Sequence, residues 1–228
     1  RAESAKQSGT NARPSPDTHY VSPTGRHIYP FASWTDAAMD IQSAADAAAA
    51  GDTVLVGDGV YDTGVSVWSQ WGVRVAVSGP ITIRSVSGPR HTVIRGDKNG
   101  ATRCVFLQCG AELDGFTLTD GGGNLDPMAW IAHVRGGGVF CTPDSIVRNC
   151  VIVSNAAGLG GGAYGGTLVN CVVADNESLI GGGTCDSTVL SCSIARNRAW
   201  YLGGGTLGGT AWNSIVYFNT SGEGWNYA

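Results

Sequence analysis

CVIVSN at 150–155, CVVADN at 171–176, CSIARN at 192–197 and SIVYFN at 214–219 are four copies of one unit. They start 21, 21 and 22 residues apart, and each ends in asparagine: Asn155, Asn176, Asn197 and Asn219. Between them lie GLGGGAYGGT, LIGGGTCDST and YLGGGTLGGT, so glycine triplets recur in phase at 160–162, 181–183 and 203–205. Looser copies stand upstream as GFTLTDGGG at 115–123 and GGGVFC at 136–141.

A period of about 21 residues is too short for the paired helices of tetratricopeptide or ankyrin repeats. A leucine-rich repeat has a compatible length but is dominated by leucine, whereas these units carry Val, Ile, Thr and Cys in two-residue alternation. The pattern predicts an all-β fold, a single-stranded right-handed parallel β-helix, whose coils stack about 4.8 Å apart. Glycines then serve corners that need positive φ or close backbone approach.

Alternation assigns faces. Phe116, Cys150, Cys171, Cys192 and Ser214 form one inward column, and Leu118, Ile152, Val173, Ile194 and Val216 a second. Thr117, Val151, Val172, Ser193 and Ile215, then Thr119, Val153, Ala174, Ala195 and Tyr217, point outward as a stripe that is apolar for a solvent face. This feature suits a partner, a second copy or a covering loop, unless the register is shifted by one residue and the faces exchange. The asparagine column falls at a corner, where stacked amides can bond one another and otherwise unpaired backbone groups. Cys150, Cys171 and Cys192 read as core filling, because parallel side chains on adjacent coils direct their Cβ vectors poorly for a disulfide. Whether Cys141 pairs with Cys104 or Cys109 stays open, and no spacing suggests a structural zinc site.

Composition agrees with this architecture. Of 228 residues 35 are glycine, about twice the ~7% average, yet 43% are hydrophobic, which excludes a disordered or collagen-like chain. No apolar run reaches the length of a membrane span. The net charge of −4 argues against nucleic acid as a partner.

Residues 1–17 read as a flexible tail, 18–51 as an N-terminal cap, and 52–228 as the β-helix. In the cap, SWTDAAMDIQSAADAAAAG predicts an amphipathic helix with Ser33 or Thr35 at its start and Gly51 at its stop. Trp34, Ala37, Ala38, Ile41, Ala44, Ala45 and Ala48 make its apolar stripe, suited to covering the open end of the solenoid. No such cap follows the last repeat. The expectation is that the chain is the N-terminal portion of a longer solenoid if it continues. If it ends here, its own tail with Trp225 and Tyr227 or another molecule covers that end, or the open C-terminal coil self-associates.

YVSPTG, PF, IQSAADAA and GDTVLVGDGVY together resemble the N-terminal region of secreted bacterial β-helix proteins, including polysaccharide lyases of the alginate lyase and chondroitinase B type. The glycine-rich units resemble repeats of large bacterial surface proteins and, more distantly, of polymorphic outer membrane proteins. The resemblance implies a secreted or cell-surface protein with a polysaccharide or another surface protein as partner. If lyase-like, it implies a basic catalytic pair and Ca2+; otherwise no cofactor is expected.

The residues supply little of that chemistry. A lyase needs a base and a cation beside a uronate carboxylate, and only Lys6 and Lys98 are lysines. Arg84, Arg95 and Arg103 are a candidate basic patch on the early coils. Asp120 and Asp175, at equivalent corners with Ser154 between them, are a candidate carboxylate pair for hydrolysis. The insertion at 121–138 carries Asp126, Trp130, His133 and Arg135, where Trp130 suits a sugar face and His133 or Arg135 an anionic group. The favoured function is a binding or assembly domain, with an anionic-glycan lyase as the alternative.

Overall fold

The computed structural model describes residues 17–68, 71–123 and 135–222. The tail at 1–16 lies outside the described residues, as do Trp225 and Tyr227. Four sheets run along the solenoid. Sheet 1 stacks Thr18–Val21, Thr53–Val56, Thr82–Ser85, Glu112–Asp114, Ile146–Arg148, Thr167–Val169, Thr188–Leu190 and Thr210–Trp212. Sheet 2 stacks Gly59–Tyr61, Thr92–Arg95, Thr117–Thr119, Val151–Val153, Val172–Ala174, Ser193–Ala195 and Ile215–Tyr217. Sheet 3 runs from Ser66–Trp68 and Trp71–Val77 through Arg103–Leu107, Val139–Cys141 and Ala163–Tyr164 to Thr184–Cys185 and Thr206–Leu207. Sheet 4 joins Ala156–Leu159, Glu177–Ile180, Arg198–Leu202 and Thr220–Ser221. Among the described residues every pairing between strands is parallel except the hairpin between Ser66–Trp68 and Trp71–Val77, and an isolated antiparallel bridge joins Asp97 and Thr102. The fold is a right-handed parallel β-helix, the hand that parallel crossovers adopt.

The predicted inward columns are present, whereas Ala174 and Ala195, expected to point outward, are buried. Leu118, Ile152, Val173 and Ile194 pair in register and are wholly buried. Phe116, Cys150, Cys171 and Cys192 are buried beside them. The cysteine column is a hydrogen-bond device as well as filler. Cys171 N–H donates to the Cys192 sulfur at 3.4 Å, Phe116 N–H to the Cys150 sulfur at 3.4 Å, and Cys192 N–H to Ser214 Oγ at 3.0 Å. The thiols of Cys171 and Cys192 in turn donate to carbonyls. Hydrogen bonding between neighbouring thiols, with burial, pushes both above the usual thiol range. All seven cysteines are free, and Cys109 alone is exposed.

The asparagine column is fully satisfied. Asn176 accepts from Asn155 N–H and Nδ2 at 2.9 and 3.0 Å, and its own Nδ2 donates to Ile152 O and Asn197 Oδ1, both at 2.9 Å. Asn197 repeats the pattern with Asn219, whose Nδ2 reaches Ile194 O. The glycine triplets exist partly to admit this column. Gly160, Gly181 and Gly203 turn at φ near +65° (62°, 66° and 64°). At the third position a Cβ on Gly162 would stand 2.7 Å from Gly183 O and 2.9 Å from Asn176 Nδ2.

The cap departs from expectation. Its helix spans only Ile41–Ala47, with Asp40 as N-cap accepting from Ser43 N–H. Ser33 instead closes a turn by accepting from Asp36 N–H. Residues 37 and 38 are claimed by tertiary pairing: Ala38 bridges to Val21, donating to Tyr20 O and accepting from Ser22 N–H. Trp34 leaves the stripe and sits half exposed, edge-on to Tyr20. Ile41 and Ala44 remain buried against the first coil.

Candidate functional site

The three early arginines lie on three different sheets. Arg84 is on sheet 1, 3.6 Å from Asp114; Arg95 is on sheet 2; Arg103 is buried at the start of its strand in sheet 3. On sheet 2 the charges form an alternating row. Arg95 meets Asp62 at 3.4 Å and Asp120 at 3.9 Å, and Lys98 meets Asp120 at 3.5 Å. Asp120 and Asp175 do occupy equivalent corners, with Ser154 between them, all near φ +55° (54°, 55° and 59°). Each carboxylate holds its own cation, since Arg196 grips Asp175 in a two-pronged pair at 2.9 and 2.8 Å. That guanidinium holds the Asp175 carboxyl below its ordinary range.

Of the insertion's candidates, Asp126, Trp130 and His133 lie outside the described residues, and Arg135 is within them. Arg135 bridges to Leu159 and lays its guanidinium 4.5 Å from the Tyr164 ring centroid. The Tyr164 hydroxyl donates to Asp186 Oδ2 at 2.8 Å on the next coil. Burial, then that bond, raises the phenol to about 12, so it stays a donor. Phe140 continues the row beneath, 5.6 Å from Tyr164 and 4.8 Å from Phe106.

These groups line an open groove of 390 Å³ whose other walls include Thr142, Pro143 and Thr188. The charged groups in its lining are Arg135 and Asp186, and Asp186 already accepts from Tyr164. Arg135 Nε is buried with no hydrogen-bond partner among the described residues, and so is Arg103 Nε, whose guanidinium lies 5.9 Å from the Phe140 ring. Burial lowers Arg103 to about 10, which leaves it charged at neutral pH. Such an arrangement can stack an apolar ring face and meet an anionic group.

A larger concavity of 490 Å³ separates the cap from the first coil, between Met39, Tyr61, Val65 and Arg74. Its charges are already engaged: Arg74 donates to Arg95 O and Gly64 O, and Asp62 holds Arg95. Among the described residues no cluster of His, Cys, Asp and Glu is placed to hold a metal, and no helix is long and apolar enough to cross a membrane.

Sequence reasoning found Arg135 and missed Tyr164, Asp186 and Phe140. The missed signal lies just after the glycine triplets, where the otherwise regular unit varies as AY, TCD and TL.

No family model matches the sequence, and no curated protein matches it. Among solved structures, a pectin methylesterase point mutant in complex with a hexasaccharide is similar, with a TM-score of 0.50 at 12% identity. The match covers 85% of this chain and 60% of that one, so the chain spans 60% of that protein's length. At this identity the likeness establishes the β-helix fold.

Proposed function

We propose that this chain is a glycan-binding β-helix domain of a secreted or cell-surface protein, seating an acidic sugar unit in the groove over sheet 3. The observation that carries the reading is Arg135, stacked on Tyr164 with a buried Nε that has no hydrogen-bond partner among the described residues, beside a tyrosine fixed on Asp186. Rigid aromatic surface with a guanidinium beside it is the composition of a site for a pyranose bearing a carboxylate. The hexasaccharide-bound β-helix of similar fold supports a glycan as ligand.

Calorimetric titration with hexagalacturonate tests it. Arg135→Ala is expected to weaken binding about tenfold, the effect of losing one charge-assisted contact. Wild-type affinity in that variant sinks the reading.

One observation favours catalysis instead: the row Asp62, Arg95, Asp120, Lys98 places carboxylates and cations side by side on an open sheet face. Lyase action there would release an unsaturated uronate, followed by its ultraviolet absorbance. Turnover of alginate or pectate that Arg95→Ala abolishes would replace the binding-only reading.

A further inference from the structure

The step from Asn197 to Asn219 is one residue longer than the steps before it. Strand register locates the extra residue. Ser178 pairs with Ala199 and Ile180 with Leu202, so Leu179 alone faces both Trp200 and Tyr201. This is a β-bulge, a device that re-aims side chains. It turns two adjacent aromatics outward, each 53% exposed.

Trp200 is held in place. Its Nε1–H donates to Glu177 Oε1 at 2.9 Å, the Arg198 guanidinium lies 4.6 Å from its ring centroid, and Arg198 pairs with Glu177 at 3.6 Å. Three side chains thus close on one another and fix an exposed indole before any ligand arrives. A pre-oriented ring loses little freedom on binding.

We propose that this bulge is a sugar-stacking platform: Trp200 and Tyr201 receive the apolar face of a pyranose, and Glu177 and Arg198 meet hydroxyls at the ring edge. The patch is two aromatic side chains bordered by charge. That is far below the roughly 800 Å² that each partner contributes to a stable protein interface. It matches a ligand that is itself a small apolar face edged with hydroxyls. Stacking needs no charge on the sugar, so the platform takes neutral pyranoses, unlike the groove. It lies on sheet 4 two coils beyond Leu159, to which Arg135 bridges, and shares with the proposed function only the class of ligand.

Two hexasaccharides separate the sites: cellohexaose, which is neutral, and hexagalacturonate. Each is titrated calorimetrically into wild-type protein, Trp200→Ala, Trp200→Phe, Tyr201→Ala and Arg135→Ala, with thermal melts confirming that every variant is folded. Trp200→Ala is expected to weaken cellohexaose binding about tenfold, with Tyr201→Ala weakening it less and Trp200→Phe retaining most of it. Arg135→Ala is expected to weaken hexagalacturonate alone. If Trp200→Ala and Tyr201→Ala both bind cellohexaose as wild type does, the platform is overturned, whatever Arg135→Ala does. If Arg135→Ala binds hexagalacturonate normally while Trp200→Ala loses cellohexaose, the groove fails and the platform stands. Failure of the wild-type protein to bind cellohexaose overturns the platform, and failure to bind hexagalacturonate overturns the groove.

Discussion

The early coils and the late coils solve the same stacking problem differently. Along sheet 1, paired residues Thr53, Thr82, Glu112 and Ile146 are 29, 30 and 34 positions apart, whereas Ile146, Thr167, Thr188 and Thr210 are 21, 21 and 22 apart. The early interior is aliphatic and aromatic: Val54, Val56, Val75, Val77, Ile81, Ile83, Ile94, Leu113 and Phe116. The late interior adds the asparagine column, the cysteine column and the glycine triplets. Apolar burial is non-directional and needs only filled volume. A hydrogen-bonded column needs a partner at one distance above and below each member. Strict periodicity in the late coils is therefore a consequence of polar columns, and loop length is freer where buried polar groups such as Ser85 and Thr92 pair within one coil instead of stacking between coils.

The sharpest way to break this contrast is Asn176→Ala. It leaves two buried Asn155 donors without acceptors, at about 1–3 kcal/mol each, so the expected loss is on the order of 4 kcal/mol. Because repeat arrays are held by nearest-neighbour contacts, hydrogen exchange should rise in the late coils and stay slow around Ile83. Uniform exchange across both regions contradicts the division.

Glycines offer a smaller, paired test. Gly162→Ala drives a Cβ against Gly183 O and the Asn176 amide, an overpacking cost of about 1–3 kcal/mol. Gly79 in the early region has open space around its Cβ position, so Gly79→Ala should be neutral or slightly stabilising in urea titration. Equal losses at both sites would show that backbone freedom, rather than column packing, sets the glycine requirement.

The least effect belongs to the exposed corner pair. Arg196 lowers the Asp175 carboxyl, so this contribution is present above the ordinary carboxylate range and fades as pH falls through the lowered value. Asp175→Asn should melt slightly below wild type at pH 7, and the gap should close in acid and shrink in high salt. A gap that persists below pH 3 assigns the difference to something other than charge.

Much of the fold was legible in the repeat. Face assignment, the asparagine corner and the glycine triplets all follow from a unit that recurs every 21 residues, because register carries each position onto its equivalent. The cap was less legible. Helix propensity over 33–50 is real, but Ala38 is drawn into extended pairing with the first strand and Ala37 accepts from His27 N–H, which no local pattern reveals. The candidate site was legible only through Arg135. Tyr164 and Asp186 belong to successive coils, and their partnership depends on outward neighbours across coils rather than on neighbours along the chain.

The repeat dictates the coil, its inward columns and the corner where asparagines stack, since the asparagines and cysteines hydrogen-bond to their own copies. Tertiary structure alone decided where the helix begins, that the three early arginines stand on separate sheets, and that Arg135 closes on Tyr164. Periodic positions meet their equivalents by construction. Single, non-repeating side chains meet whatever the lengths of the intervening turns bring beside them.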